Sequence, residues 1–391
     1  MQAQAALLTE PGSDFTLARI DIDGPRTGEV LVQIEAVGIC HTDLAARDGV
    51  LPLEFPGVAG HEGAGTVLAI GAGVTKVAPG DKVGVTFNSC GECATCTTGR
   101  QSYCENFTEV NYGGTRKDGS QPLSRDGAPV GGMFFGQSSF ARVALATERN
   151  VVKVDDSIPF ALLAPLGCGV QTGVGAVTRS LRAEKGSALV VAGGGSVGLS
   201  AVLGAVIQGC ATIIVVEPTP ARRALARELG ATHVVDPAAG DLTEQVRAIV
   251  PAGVDYVVDT TGIPAVIESL IGATRVRGTV GLIGVPSDPQ TAVHLNIIAT
   301  LTLGLTVTGI IEGDSVPDEF IPELVALYHE GRLPLDKLVT TFEFERINEA
   351  VEAQHSGAVV KPVLVFSETT DSLSTGPPPP AGGWRGGGGG L

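Results

Sequence analysis

The chain has 391 residues, 43% of them hydrophobic and 17% charged, enough to build two ordinary domains with their own cores. Its formal net charge is −16 and no stretch concentrates Lys and Arg, which excludes a phosphate-binding nucleic-acid surface and leaves the acidity as a solvated exterior. No apolar run is long enough to span a bilayer, and Met1 to Pro11 lacks the pattern of a secretory signal. A cytoplasmic location is the expectation, and there clustered thiols are read as metal ligands before disulfides.

From Gln2 to about Thr147 the sequence alternates short β-like runs with Gly/Pro turns. Glu29 to Val37 reads as a half-buried antiparallel strand, and Gly71 to Val85 as a turn-strand unit of the same kind. Within this region stands CGECATCTTGRQSYC, with Cys90, Cys93, Cys96 and Cys104. Two-residue gaps let a loop wrap its thiolates around one tetrahedral ion, and four protein thiolates leave no open position, so the expected ion is a structural zinc. An iron–sulfur cluster is the alternative that the same ligands allow.

A second metal site has to be assembled from distant segments. Cys40 lies in GICHTD, His61 in GHEGAG and Cys168 in GCGVQTG. Two thiolates and one imidazole leave a fourth position for water or substrate, the Cys₂His pattern of a catalytic zinc. Asp43 and Glu62, adjacent in sequence to these residues, are candidates to orient the imidazole and tune the ion.

After about Leu181 the texture changes. Ala188–Ala192, Thr212–Val216, Asp255–Asp259 and Thr279–Ile283 are short apolar runs suited to strands buried on both faces, separated by helical patterns at Ala221–Leu229 and Leu242–Val250. Such repetition implies an α/β doubly wound parallel sheet. Gly193, Gly195 and Gly198 follow the first of these runs in G-x-G-x-x-G order, a phosphate-binding turn at a helix N-terminus. Glu217 closes the next run, where a carboxylate accepts the adenosine ribose hydroxyls and repels a 2′-phosphate, favouring NAD. Arg222 and Arg223 lie close enough to admit some NADP; the bland reading of both is exposed helix charge.

Beyond Gly309 come an amphipathic helix over Pro317–Glu330 and a last strand over Val359–Phe366. Ser367 to Leu391, rich in Ser, Thr, Pro and Gly, lacks the apolar content to offset ordering entropy and is expected to be disordered. Cys210, His233, His294, His329 and His355 are expected to be structural or exposed.

Taken together, the CHTD, GHEGAG, four-cysteine, GCGVQTG and glycine-loop motifs resemble the zinc-containing medium-chain alcohol dehydrogenases, over roughly Ala3 to Phe366. The strings FNSC at Phe87 and FFGQSSFA at Phe134 are most similar to aryl (benzyl) and terpene alcohol enzymes such as geraniol dehydrogenases. The resemblance implies a GroES-like β-rich catalytic domain (1–169 and 309–366, with a zinc lobe at about 88–106) and a Rossmann NAD-binding domain (170–308). It implies two zinc ions per subunit, with Cys40, His61 and Cys168 holding the catalytic one. Thr42 would bond the substrate oxygen, His41 and Lys361 would reach cofactor phosphates, and Thr172 and Val197 would pack near the nicotinamide. The implied reaction is reversible oxidation of a primary, aryl or allylic, alcohol with NAD, in a homodimer or homotetramer and with no membrane or nucleic-acid partner. Ala45 stands where many relatives end a proton relay with histidine. Two other readings compete: a thiol-adduct formaldehyde dehydrogenase, and a non-catalytic NAD-binding protein on the same fold.

Overall fold

The computed structural model describes residues 1–367. The expected disorder after Ser367 falls, apart from that residue, outside the described residues.

The apolar runs of the second half form one six-stranded, wholly parallel sheet. Its order is His233–Val235, Thr212–Val216, Ala188–Ala192, Val254–Asp259, Thr274–Leu282 and Thr306–Gly309. Its two central strands, Ala188–Ala192 and Val254–Asp259, bury apolar side chains on both faces: Leu189, Val190, Val191, Val257 and Val258 are all fully buried. Each such side chain contributes roughly 1.5–3 kcal/mol of transfer free energy. The strand order reverses beside Ala188–Ala192, and a doubly wound sheet binds its ligands at that point, beyond the carboxyl ends of the strands.

The first half forms a seven-stranded sheet. Its path runs Val339–Glu343, Lys361–Val365, Glu29–Gly38, Gly63–Ile70, Lys82–Val85 and Val151–Lys153, with Val143–Thr147 also paired to Glu29–Gly38. A smaller sheet of Gln2–Leu7, Thr16–Ile22, Leu123–Arg125 and Ala128–Val130 lies apart from it in hydrogen bonding. The strand Lys361–Val365 returns the end of the described residues to the first half by pairing antiparallel with Ala36–Gly38.

The expected turn-strand unit over Gly71–Val85 is a turn leading into the strand Lys82–Val85, and Glu148 holds the turn, its Oε1 accepting the backbone N–H of Thr75 at 2.5 Å and of Lys76 at 2.6 Å. The last strand is Lys361–Val365, shorter at both ends than the apolar run that signalled it.

Among the described residues no single helix is long and apolar enough to cross a membrane. The one pair with the necessary length, Phe160–Gly167 and Gly169–Ser180, is bent by 59° at Cys168. The bend has a use: Cys168 leaves helical geometry (φ −146°, ψ −81°) and starts the helix Gly169–Gly175, which packs on the helix after the glycine loop.

Candidate active site

The three separated motifs converge. Cys40 caps the short helix His41–Arg47, His61 precedes the strand Gly63–Ile70, and Cys168 sits at the bend. One ligand atom from each of Cys40, His61, Glu62 and Cys168 lies within 4.8 Å of all the others. Asp43 is the organiser. It is fully buried; Oδ1 lies 2.8 Å from His61 Nδ1 and accepts the Gly60 N–H at 3.0 Å, while Oδ2 accepts the Cys40 N–H at 2.9 Å. This arrangement turns Nε2 toward the thiols, and Nε2 is buried without a partner.

The donor set fits zinc. An unpartnered imidazole nitrogen beside two cysteines is the soft and borderline chemistry a Cys₂His zinc takes. The thiols are poised unequally: hydrogen bonding from Cys168 holds Cys40 well below the ordinary range, whereas Cys168 is pushed up by Cys40 and by burial. Burial opposes charge on His61, but Asp43 outweighs it and holds the imidazole well above its usual value.

Glu62 is bound up differently from a free carboxylate. Lys361 Nζ lies 2.7 Å from its Oε1 and 2.6 Å from Oε2, and donates to the Ile39 carbonyl at 3.0 Å. Both side chains are buried, and burial raises Glu62 to about 7 despite the opposing Lys361 charge. Lys361 therefore stands between the metal cluster and the glycine loop. A methyl group on Gly169 would lie 3.3 Å from Ser196 Oγ, 3.4 Å from Glu62 Oε1 and 3.8 Å from Lys361 Nζ. Thr42 Oγ1 is 3.8 Å from Cys40 Sγ, and His41 is exposed at the start of the same helix.

The glycine loop has the shape its motif implied. Gly193 has φ +97°, and a side chain on Gly198 would collide with the Gly193 carbonyl, so the strand turns directly into the helix Ser196–Gln208. Ser196 Oγ, in the first turn of that helix, is buried and unpartnered. Glu217 lies across the loop: Oε2 accepts the Gly194 N–H at 2.6 Å and Oε1 the Thr219 N–H at 2.8 Å. An orphaned hydroxyl at a helix N-terminus and a fixed carboxylate suit a phosphate and a ribose respectively. Arg223 is tied down by the carbonyls of Glu217 and Pro218 and by Asp236. Arg222 Nε is buried without a partner.

Thr172 and Val197 come together, since the helix Gly169–Gly175 rests on the carbonyl of Val197 at Gly173. The four thiols of Cys90, Cys93, Cys96 and Cys104 also gather within 4.8 Å of one another in their own lobe. Hydrogen bonding from Thr95 brings Cys93 down to about 6, and burial pushes Cys104 up to about 12.

Two features had no signal in the motifs. The string FFGQSSFA is a clamp on the strand that follows His61: Gln137 Nε2 donates to the His61 carbonyl at 2.9 Å, Oε1 accepts the Gly63 N–H, and Ser138 Oγ donates to the Val58 carbonyl. Phe135 stacks on the His61 ring at 4.6 Å, backed by Phe107, Tyr112 and Phe134. The second feature is Glu312, a buried carboxylate whose Oε2 accepts from Thr172 Oγ1 at 3.2 Å and from Gln171 Nε2 at 3.3 Å.

Comparison with known proteins gives the class. Residues 26–156 match the alcohol dehydrogenase GroES-like domain, and residues 196–330 match the zinc-binding dehydrogenase family. The chain belongs to the zinc-binding alcohol dehydrogenases, oxidoreductases in which a GroES-like domain is joined to a parallel-sheet cofactor domain. It is 47% identical over 368 residues to a geraniol dehydrogenase of Castellaniella defragrans, covering 94% of this chain and 98% of that one. An alcohol dehydrogenase zinc-binding domain protein from Burkholderia ambifaria superposes with a TM-score of 0.92 at 45% identity, covering 94% and 99% of the two chains. A benzyl alcohol dehydrogenase from Acinetobacter calcoaceticus gives 0.91 at 39% identity, covering 94% and 100%.

Proposed function

We propose that this alcohol dehydrogenase oxidises primary aryl or allylic alcohols reversibly to aldehydes, with NAD as the hydride acceptor. The observation that carries the reading is the convergence of Cys40, His61 and Cys168 on one point, together with a glycine loop faced by the fixed carboxylate of Glu217. The names of the geraniol and benzyl alcohol relatives, and the aromatic bank of Phe107, Tyr112, Phe134 and Phe135 behind His61, support an apolar substrate.

Cys40, His61 and Cys168 would hold a catalytic zinc, and Cys90, Cys93, Cys96 and Cys104 a structural one. Bound together, zinc and nicotinamide supply a Lewis acid for the alcohol oxygen and an acceptor for the hydride. The chain supplies the rest. Asp43 fixes the imidazole in the tautomer that leaves Nε2 free. Thr42, whose Oγ1 lies 3.8 Å from Cys40 Sγ, would take a hydrogen bond from the substrate hydroxyl and pass its proton outward. Ser196, the loop amides and Lys361 would hold the pyrophosphate, with Gly193, Gly195 and Gly198 giving it room. Glu217 would accept the ribose hydroxyls; with Arg223 already tied down, only Arg222 is left to meet a 2′-phosphate, which supports NAD. The cofactor domain would comprise about 170–308, flanked by the two parts of the catalytic domain.

The exposed Ile297, Ile298 and Leu301, at 74–79% exposure beside the open edge strand Thr306–Gly309, support association of cofactor domains into a dimer or tetramer.

The test is cofactor reduction with geraniol, benzyl alcohol and ethanol, using NAD and NADP, before and after chelation and zinc return. Zinc-restorable activity highest on the aromatic and allylic alcohols with NAD is the expected result. Activity confined to formaldehyde mixed with glutathione or mycothiol would overturn the substrate reading, and none at all would overturn the catalytic one.

A further inference from the structure

Glu312 is a buried acid that the roles above leave unused. It follows the last parallel strand, Thr306–Gly309, by three residues and so lies off the carboxyl edge of the sheet, where ligands of this architecture sit. Its carboxylate reaches the helix that begins at Cys168, bonding Thr172 and Gln171 through Oε2 alone. The residue is 7% exposed.

The placement is built into the backbone. Glu312, Gly313 and Asp314 have φ of +51°, +64° and +51°, so three successive residues, two of them not glycine, have positive φ. Gly313 lies directly on the ligand-bearing helix: a methyl group on Gly175 would come within 2.6 Å of the Gly313 carbonyl oxygen. Gln171 is itself locked, with Nε2 donating to Thr86 and to the Gly167 carbonyl and Oε1 accepting from Ser315 Oγ. Tyr103 anchors the far side of the loop through Asp314 and the Gly309 carbonyl. A loop held this firmly keeps a carboxylate at the junction of the metal cluster and the sheet edge. Burial raises Glu312 to about 7, with His61 acting against the rise and Cys40 and Glu62 with it, so these groups share its electrostatic neighbourhood.

A cofactor running from the glycine loop toward Cys40, His61 and Cys168 must bring its reacting ring past this junction. The oxidised nicotinamide ring carries a positive charge that the reduced ring lacks. We infer that Glu312 is a specificity-determining residue that makes the site prefer oxidised over reduced nicotinamide, and so loads the enzyme for alcohol oxidation. The inference rests on the nicotinamide reading above. A negative charge held beside Thr172, in the path of the ring, would act on the two redox forms differently, whereas a purely architectural role acts on both alike.

The experiment is binding to the zinc-loaded enzyme in mildly alkaline buffer, with NADH followed by fluorescence and NAD by calorimetry, for the wild type, E312Q and E312D. Glutamine keeps the shape and can still accept from Thr172. E312Q is expected to weaken NAD about tenfold while changing NADH less than about twofold; E312D, which keeps the charge, should retain most of the wild-type ratio. An equal loss for both forms, or an unchanged ratio in E312Q, would overturn the inference while leaving nicotinamide binding intact. If the wild type binds neither form, the nicotinamide reading falls and this one with it.

Discussion

Asp43 offers the sharpest test of how the metal cluster is organised. Three donors converge on its two oxygens: His61 Nδ1 and the Gly60 N–H at Oδ1, and the Cys40 N–H at Oδ2. In D43N only one of the two terminal atoms accepts. If the amide oxygen serves His61 and Gly60, the amide nitrogen confronts the Cys40 N–H, leaving a buried donor unpaired at a cost of about 1–3 kcal/mol. If the amide flips, its nitrogen faces Nδ1, the ring proton moves to Nε2, and the nitrogen aimed at the thiols can no longer ligate. Loss of such an orienting partner typically lowers metal affinity 10–100-fold, about 1.4–2.7 kcal/mol. Competition for zinc against a chromogenic chelator, read alongside thermal unfolding of the metal-free protein, separates the two effects. D43N should show one or the other according to the orientation the amide takes, with zinc in the four-cysteine lobe unaffected. Unchanged affinity at the Cys40–His61–Cys168 site together with unchanged stability of the metal-free protein would refute the claim that Asp43 organises the cluster.

Two further outcomes follow from the same geometry. Replacing Cys104 by Ser should lower zinc per chain from about two to one by elemental analysis, since a structural site needs all four thiolates; retention of both ions would refute a shared Cys90–Cys93–Cys96–Cys104 centre. Glu312 binds its proton more tightly folded than unfolded, so its ionisation destabilises the metal-free protein progressively as pH rises from its ordinary 4.5 to about 7. E312Q should therefore gain stability relative to the wild type above pH 7 but not at acid pH, by no more than about 3 kcal/mol in denaturant unfolding; a pH-independent difference would refute the burial argument.

What could be read in the sequence was local. The four cysteines are gathered within one short loop, and the glycine loop joins a strand to the helix it begins, so spacing alone carried their geometry. The parallel strands were legible because burial on both faces concentrates Val, Ile, Leu and Ala into short runs. Glu62 and Lys361 are 299 positions apart, and nothing near either one announces the pairing. Glu312 stands 140 positions from Thr172 and depends on left-handed backbone at a glutamate, for which composition gives no sign. The string FFGQSSFA was read only for its likeness to aryl alcohol enzymes, while its Gln137 and Ser138 also hold the backbone around His61.

The contact between Gly175 and Gly313 joins main chain to main chain, with no side chain between. Side chains absorb displacement by changing rotamer; a peptide backbone has no such give. Movement of the end of the parallel sheet toward the Cys168 helix therefore presses directly on that helix, a mechanical linkage between the metal ligand and the loop after the strand Thr306–Gly309. Variation in what the enzyme accepts is correspondingly free to accumulate on the aromatic side of His61, where rings can be exchanged without disturbing that linkage.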